Sequence, residues 1–212
     1  MKKYFLIVSL LLSIASFAQT NSIGIFENAV DVGKPKAAGS SRFDNARKQY
    51  VLKGGGYNIW FDRDEFQYLY KKIKGDFVLT GNFKFIGKGK EGHRKMGWMV
   101  RYSLDDNAAH ASAVVHGDSL TVLQWREKKG MNMRDPDDEI FFPGKGVQVI
   151  QIERKGDYIT MRIAKAGGPM KVVGSTKMLA MPAEVFAGLF ICSHDPETLE
   201  EVRVWNVRVE QK

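Results

Sequence analysis

The 212-residue sequence has a single cysteine, Cys192, so no disulfide can form within the chain. Burial of apolar surface must therefore stabilise the fold. Cys192 ends the apolar run 186–192, and a free cysteine in such a run usually behaves as a small buried apolar side chain. We expect Cys192 to lie in the core.

After residue 18 the sequence lacks any stretch that approaches the roughly 20 consecutive apolar residues of a transmembrane helix. At the N-terminus, Lys2 and Lys3 precede a short apolar run, which ends in small residues at 16–18. This order predicts a secretory signal peptide over residues 1–18. Gln19 follows, where a lipoprotein would carry a cysteine. We predict secretion to the periplasm or the medium, with no membrane span.

The sequence also lacks internal repeats, low-complexity segments and a convincing long helix. Short alternating segments are instead separated by turn residues about every 8–12 residues, as in all-β sandwiches. The pattern predicts one all-β domain over residues 19–212, built as a two-sheet antiparallel jelly-roll sandwich.

Acidic residues are outnumbered by basic ones, and the formal charge is +8, or +6 without Lys2 and Lys3. A basic secreted chain favours anionic partners such as acidic glycans or cell surfaces. The lysines and arginines are scattered along the sequence rather than clustered, so we predict no nucleic-acid partner.

The stretch 93–127 predicts three consecutive strands joined by short polar turns. Side chains alternate between the two faces of a strand. Ala111, Ala113 and Val115 should therefore face the core, and Trp125 should do the same on the next strand. The opposite face of these strands should carry a polar stripe, to which the first strand adds Arg101. Its other members are His110, Ser112, His116, Gln124 and Arg126.

Segment 128–146 predicts a long polar loop, and loops of this length are often functional. Arg134 and Asp135 are its candidates for the rim of a binding site. The loop lacks the D-x-D-x-D-G spacing of a calcium site, so calcium has no motif in its support. His110 and His116 would lie about 20 Å apart along one strand. We therefore predict no cofactor and no metal site.

Several segments resemble the secreted bacterial modules of the concanavalin A-like lectin/glucanase superfamily. They are GGGYNIWFDRDEF (54–66), KIKGDFVLTGNFKF (72–85), AAHASAVVHGDSLTVLQWRE (108–127) and AGLFICSHDPETLE (187–200). Within the superfamily the chain is most similar to uncharacterised domains found beside Tol-type β-propellers or sugar-processing enzymes. The 3-keto-disaccharide hydrolase-like domains are related. The resemblance implies a jelly roll with one concave sheet and a carbohydrate-related role.

This resemblance leads us to expect a carbohydrate or glycan-derived ligand on the concave face. The expected contacts are Arg101, His110, Ser112, His116, Gln124 and Arg126, with Arg134 and Asp135 at the rim. The E-x-D-x-x-E pattern of laminarinase-type members is missing, and the acidic clusters 62–65 and 137–139 fall in predicted turns or loops. Catalytic residues therefore stay unassigned. The alternatives are an enzyme acting on 3-keto-glycosides and an envelope module that binds a protein, and a separate propeller or hydrolase chain is a possible partner.

Overall fold

The computed structural model describes residues 22–134 and 136–212, which form two antiparallel β-sheets packed face to face. The predicted signal peptide, 1–18, lies outside the described residues. Over the described ranges the chain contains no α-helix, and no helix in this part of the chain is suited to cross a membrane. The predicted all-β, two-sheet antiparallel jelly roll is confirmed.

One sheet, called here the site sheet, has seven strands, labelled in chain order. In spatial order they are β1 (Asn28–Val32), β6 (Phe66–Lys74), β15 (Glu184–Cys192), β8 (Lys95–Arg101), β9 (His110–His116), β10 (Thr121–Arg126) and β11 (Glu139–Phe142). The strands β8, β9 and β10 are neighbours, as the short turns between them predicted.

The other sheet, called here the back sheet, also has seven strands. In spatial order they are β14 (Lys171–Lys177), β13 (Tyr158–Ala164), β12 (Val149–Lys155), β7 (Phe77–Ile86), β16 (Glu200–Gln211), β3 (Gln49–Gly54) and β2 (Ser40–Asp44). Between β3 and β6 the chain forms a small two-stranded hairpin, β4 (Ile59–Trp60) and β5 (Arg63–Asp64). We call residues 59–64 the covering hairpin.

The main core lies between the two sheets and follows the period of two along each strand. Ala111, Ala113 and Val115 of β9 are buried in it, as predicted. Trp125 packs against the same core, which confirms its predicted direction. Trp98 of β8 is fully buried there, and its indole Nε1 donates a hydrogen bond to the Ile150 carbonyl oxygen at 3.0 Å. This bond joins the site sheet to the back sheet.

Two segments had an ambiguous or incomplete sequence signal. Residues 64–74 mix helical and strand periods, but 66–74 form the strand β6, because β1 and β15 pair with it on both sides. The predicted loop 128–146 was only partly right, since Glu139–Phe142 forms β11 and pairs with β10. The apolar residues 140–142 within that loop were the signal for the strand.

Cys192 is fully buried at the end of β15, and its thiol lies 3.5 Å from the Gly56 carbonyl oxygen. Burial raises the pKa of the Cys192 thiol to about 11, so little reactive thiolate forms near neutral pH. We expect no reaction with a disulfide reagent such as DTNB at pH 8 in the folded state, and one equivalent of reaction in guanidinium chloride. Stoichiometric labelling of the folded chain within minutes would contradict this burial.

Candidate functional site

The covering hairpin lies on the face of the site sheet that carries the predicted polar stripe. Ile59 of the hairpin is fully buried against the apolar part of that face, in a cluster with Phe66, Tyr68 and Phe190. The Gln124 side-chain amide donates a hydrogen bond to the Ile59 carbonyl oxygen at 3.0 Å. The hairpin therefore closes most of the face that sequence analysis expected to be open.

Asp64 of the covering hairpin holds two arginines of the stripe. Its carboxylate accepts a bidentate pair of hydrogen bonds from Arg126, at 2.8 Å from Nη1 to Oδ2 and 2.7 Å from Nη2 to Oδ1. Arg101 Nη1 donates to the same Oδ2 at 2.7 Å. None of the three side chains is exposed to solvent. These residues, with His110, are called here the Asp64 cluster.

The electrostatics of the Asp64 cluster depend on these arginines. Burial acts to raise the pKa of Asp64, but the charges of Arg101 and Arg126 hold it below its usual range. His110 lies beside them, with Nε2 3.8 Å from Asp64 Oδ2. Burial lowers the pKa of His110 well below its usual value, so this imidazole is neutral at neutral pH.

The structure therefore corrects the expectation of an open polar stripe. Five of its members are exposed by 1% or less: Arg101, His110, Ser112, Gln124 and Arg126. At the predicted rim, Arg134 is turned back on its own loop, where its Nε donates to Asp138 Oδ2 at 3.1 Å. Asp135 lies outside the described residues. The two members that reach an open cavity are His116 and Gln124.

This cavity has a volume of about 260 Å³ and lies between the covering hairpin and the end of the site sheet where β8 begins. The wall residues used below are Asn58, Trp60, Lys95, His116, Glu139 and His194. Phe141, which is 47% exposed, forms part of the rim. The cavity therefore combines a lysine, histidines, a carboxylate and two aromatic rings.

Three histidines from distant segments meet at this cavity. The ring centroid of His93 lies 5.6 Å from that of His116 and 5.7 Å from that of His194. Burial, together with Lys95 and the other two histidines, lowers the pKa of His116 to about 2. Both ring nitrogens of His116 lack a hydrogen-bond partner among the described residues, although the side chain is nearly buried. A polar group of a ligand in the cavity would satisfy them.

Lys95 is a buried cation in the wall of the cavity. It is 3% exposed, and its Nζ donates a hydrogen bond to Asn58 Oδ1 at 2.8 Å. Within residues 22–134 and 136–212, no carboxylate forms an ion pair with it. Burial lowers the pKa of the Lys95 ammonium from its usual value. Buried lysines are normally paired, so this one is unusual.

Lys95 was not among the predicted site residues, although it shares the strand parity of Arg101 and thus the same face of β8. No role was predicted for His93 or His194. Over the described part of the chain, no three His, Cys, Asp or Glu side chains are placed to hold one metal ion. The convergence at the cavity required the pairing of β8 with both β9 and β15.

Comparison with known proteins gives a fold. No family model and no curated protein sequence match the chain. A functionally unknown protein from Saccharomyces cerevisiae aligns over 87% of this chain and 96% of its own, with 14% identity and a TM-score of 0.66. A variant of alginate lyase A1-II′ aligns over 81% and 83%, with 9% identity and a TM-score of 0.55.

Bacteroides ovatus xyloglucan PUL GH43B aligns over 86% of this chain, which spans 38% of that protein, with 13% identity and a TM-score of 0.51. These neighbours are jelly-roll β-sandwiches. The chain has the jelly-roll fold. In this jelly roll the cavity lies on the site sheet.

Proposed function

We propose that this jelly roll is a secreted carbohydrate-binding protein whose cavity takes a sugar residue with a carboxylate, such as a uronate. The observation that carries the proposal is Lys95, a buried ammonium without a carboxylate partner among the described residues, at the wall of an open cavity. A ligand carboxylate would supply the missing counter-charge and offset the cost of desolvating the ammonium.

The other walls of the cavity suit a saccharide. Trp60 is partly exposed and Phe141 is 47% exposed, so both rings are available to stack on the apolar face of a pyranose. Glu139 and the unpartnered nitrogens of His116 supply acceptors and a donor for hydroxyl groups. The volume of about 260 Å³ limits the cavity to one or two sugar residues.

The structural neighbours support a carbohydrate-related role at a coarse level. One is an alginate lyase and another a protein of a xyloglucan utilisation locus by their names. At 9% and 13% identity, these similarities support only a shared fold. The choice of a carboxylated sugar rests on Lys95.

Replacing Lys95 with methionine tests the proposal. Methionine keeps the packing volume and removes the buried charge, so the fold should hold. We expect calorimetry to show that digalacturonate binds the wild type and binds Lys95→Met at least about 30-fold more weakly, because loss of a buried charge partner costs about 2 kcal/mol or more. Lys88→Met removes the same charge from an exposed loop and should bind as the wild type does. Equal affinity of wild type and Lys95→Met would disprove the proposed site.

A second candidate function, turnover of a 3-keto-glycoside, is favoured by the presence of His116, His194 and Glu139 at one cavity. A histidine and a carboxylate can act as base and acid on the two sides of a sugar bond. Turnover should then be lost in His194→Gln and in Glu139→Gln. Calorimetry with digalacturonate shows whether each variant still binds a sugar, and a variant that binds but does not turn over has lost only the chemical step. Turnover that persists in both variants would exclude these residues as acid and base.

A further inference from the structure

The solvent-facing side of the back sheet carries a row of cations that the sequence scatters over three segments. Val202 and Val204 of β16 point into the main core, so Arg203 between them points to solvent. The strand register places Arg42, Val51, Arg203 and Lys84 side by side on β2, β3, β16 and β7. With strands about 4.8 Å apart, the row is roughly 14 Å long.

Beside this row lies an open groove of about 400 Å³. Trp205, two residues after Arg203 on the same face, forms part of its floor, and Gln49 lies opposite Trp205 on β3. Arg47 and Lys48, from the turn between β2 and β3, close one end. A partly exposed indole between cations is the combination that binds a polar, negatively charged ring with an apolar face.

Charge at this groove is unbalanced. Asp44 pairs with Arg47 at 3.1 Å, and Glu201 pairs with Arg203 at 3.2 Å. Lys48 and Lys84 form no ion pair with any carboxylate in the part of the chain that the structure describes. The surface thus keeps an excess of positive charge after its internal pairs are counted.

Backbone conformation supplies an independent observation. Lys48 has a φ of +51° and Asn206 a φ of +52°, and both line the groove. A lysine in this left-handed region is unfavourable, and glycine is the residue that normally occupies it. Asn206 lies in an irregularity of the pairing between β16 and β7, just after Trp205. Residues held in such conformations cluster at functional sites.

We propose that this groove is a second binding site, which holds an extended anionic polysaccharide along the row from Arg42 to Lys84 with one sugar ring stacked on Trp205. The groove lies on the back sheet, on the opposite side of the sandwich from the cavity with Lys95. The site would retain the protein on a polyanionic glycan while the cavity takes a sugar end. It stands independently of the function proposed for the cavity.

The test measures binding of polygalacturonate by affinity electrophoresis, with neutral dextran of matched length as the reference polymer. Lys48→Gly removes a cation and relieves backbone strain, so the double variant Lys48→Gly/Lys84→Gln should fold at least as well as the wild type. We expect it to bind polygalacturonate about five- to tenfold more weakly, from two lost ion pairs at an exposed surface. Trp205→Ala should also weaken binding.

The matched control is Lys171→Gln/Lys177→Gln, which removes the same charge from the exposed edge strand β14 of the same sheet. It should bind the polymer as the wild type does, and so should Lys95→Met. An equal loss in the β14 control would overturn the proposal in favour of a net-charge effect. If polyphosphate binds as tightly as polygalacturonate, and binds the wild type and Trp205→Ala equally, the proposal is also overturned. A dextran sulfate arm distinguishes sulfated from carboxylated polymers, because dextran sulfate has no carboxylate. Tight binding of either polymer that requires Trp205 supports the site.

These experiments test the two proposed sites independently. Digalacturonate binding in the cavity should be unchanged in Lys48→Gly/Lys84→Gln, whereas polymer retention should be unchanged in Lys95→Met. Loss of polymer binding in Lys95→Met alone would place the polymer at the cavity and overturn the second site.

Discussion

Replacing Asp64 with asparagine should lower the free energy of unfolding by about 3–5 kcal/mol, because it leaves two buried guanidinium groups without a counter-charge. Arg126 and Arg101 donate three hydrogen bonds of 2.7–2.8 Å to this carboxylate. The asparagine amide would point donors at donors. Such a loss is a large part of the total stability of a domain of this size.

Urea denaturation of Asp64→Asn and of Asp62→Asn gives the comparison. Asp62 lies two residues away in the same hairpin and is exposed, so its change should cost less than about 0.5 kcal/mol. A cost below about 1 kcal/mol for Asp64→Asn would mean that the Asp64 cluster does not anchor the covering hairpin.

Acid should destabilise the protein well before its carboxylates titrate. In the folded state the pKa of His116 is lowered to about 2 and that of His110 is lowered well below its usual value, in both cases chiefly by burial. In the unfolded chain both titrate near 6.5. Below that pH the unfolded state binds more protons, so these two histidines leave stability unaffected above about pH 6.5 and lower it as the pH decreases towards the folded-state values.

Each of these histidines can remove about 1.4 kcal/mol per pH unit, and together they should lower the free energy of unfolding by about 3–4 kcal/mol between pH 7.5 and pH 5.0. Burial also lowers the pKa of Lys95, so stability falls in the alkaline range as well, as the pH decreases below about 10.4, the pKa of an unfolded lysine. The Asp64 carboxylate adds to the loss only below about pH 4, since its folded-state pKa is also lowered.

Denaturation curves at several pH values check this expectation. His116→Gln should remove at most about half of the acid dependence, because one of the two buried neutral imidazoles is gone while His194, whose pKa is also lowered by burial, keeps a share. An unaltered slope in His116→Gln would show that His116 is accessible to protons in the folded state.

Local sequence pattern predicted the strands of the site sheet well, because alternation is a property of each strand alone. Ala111 and Ala113 face the core and His110 and Ser112 face away from it, as the period of two requires. The parity of Trp125 was read correctly in the same way. Strand β11 was missed because four apolar-rich residues in a polar segment are a weak signal.

The polar stripe shows what strand parity cannot predict. Parity correctly placed Arg101 and Arg126 on one face, but it carried no information about what lies over that face. The covering hairpin comes from residues 59–64, far away in sequence, and Asp64 was assigned to a turn of no special role. A carboxylate in a short polar segment looks the same whether it is solvated or buried against two arginines.

The sequence by itself determined the all-β class, the jelly-roll sandwich, the direction of side chains on each strand and the burial of Cys192, because these follow from local periodicity and from apolar content. Only the tertiary structure decided which polar residues are open to a ligand. It closed the stripe over Asp64 and opened a cavity at Lys95 and His116. It also aligned Arg42, Arg203 and Lys84, because register between strands distant in sequence is set by the packing of the whole sandwich.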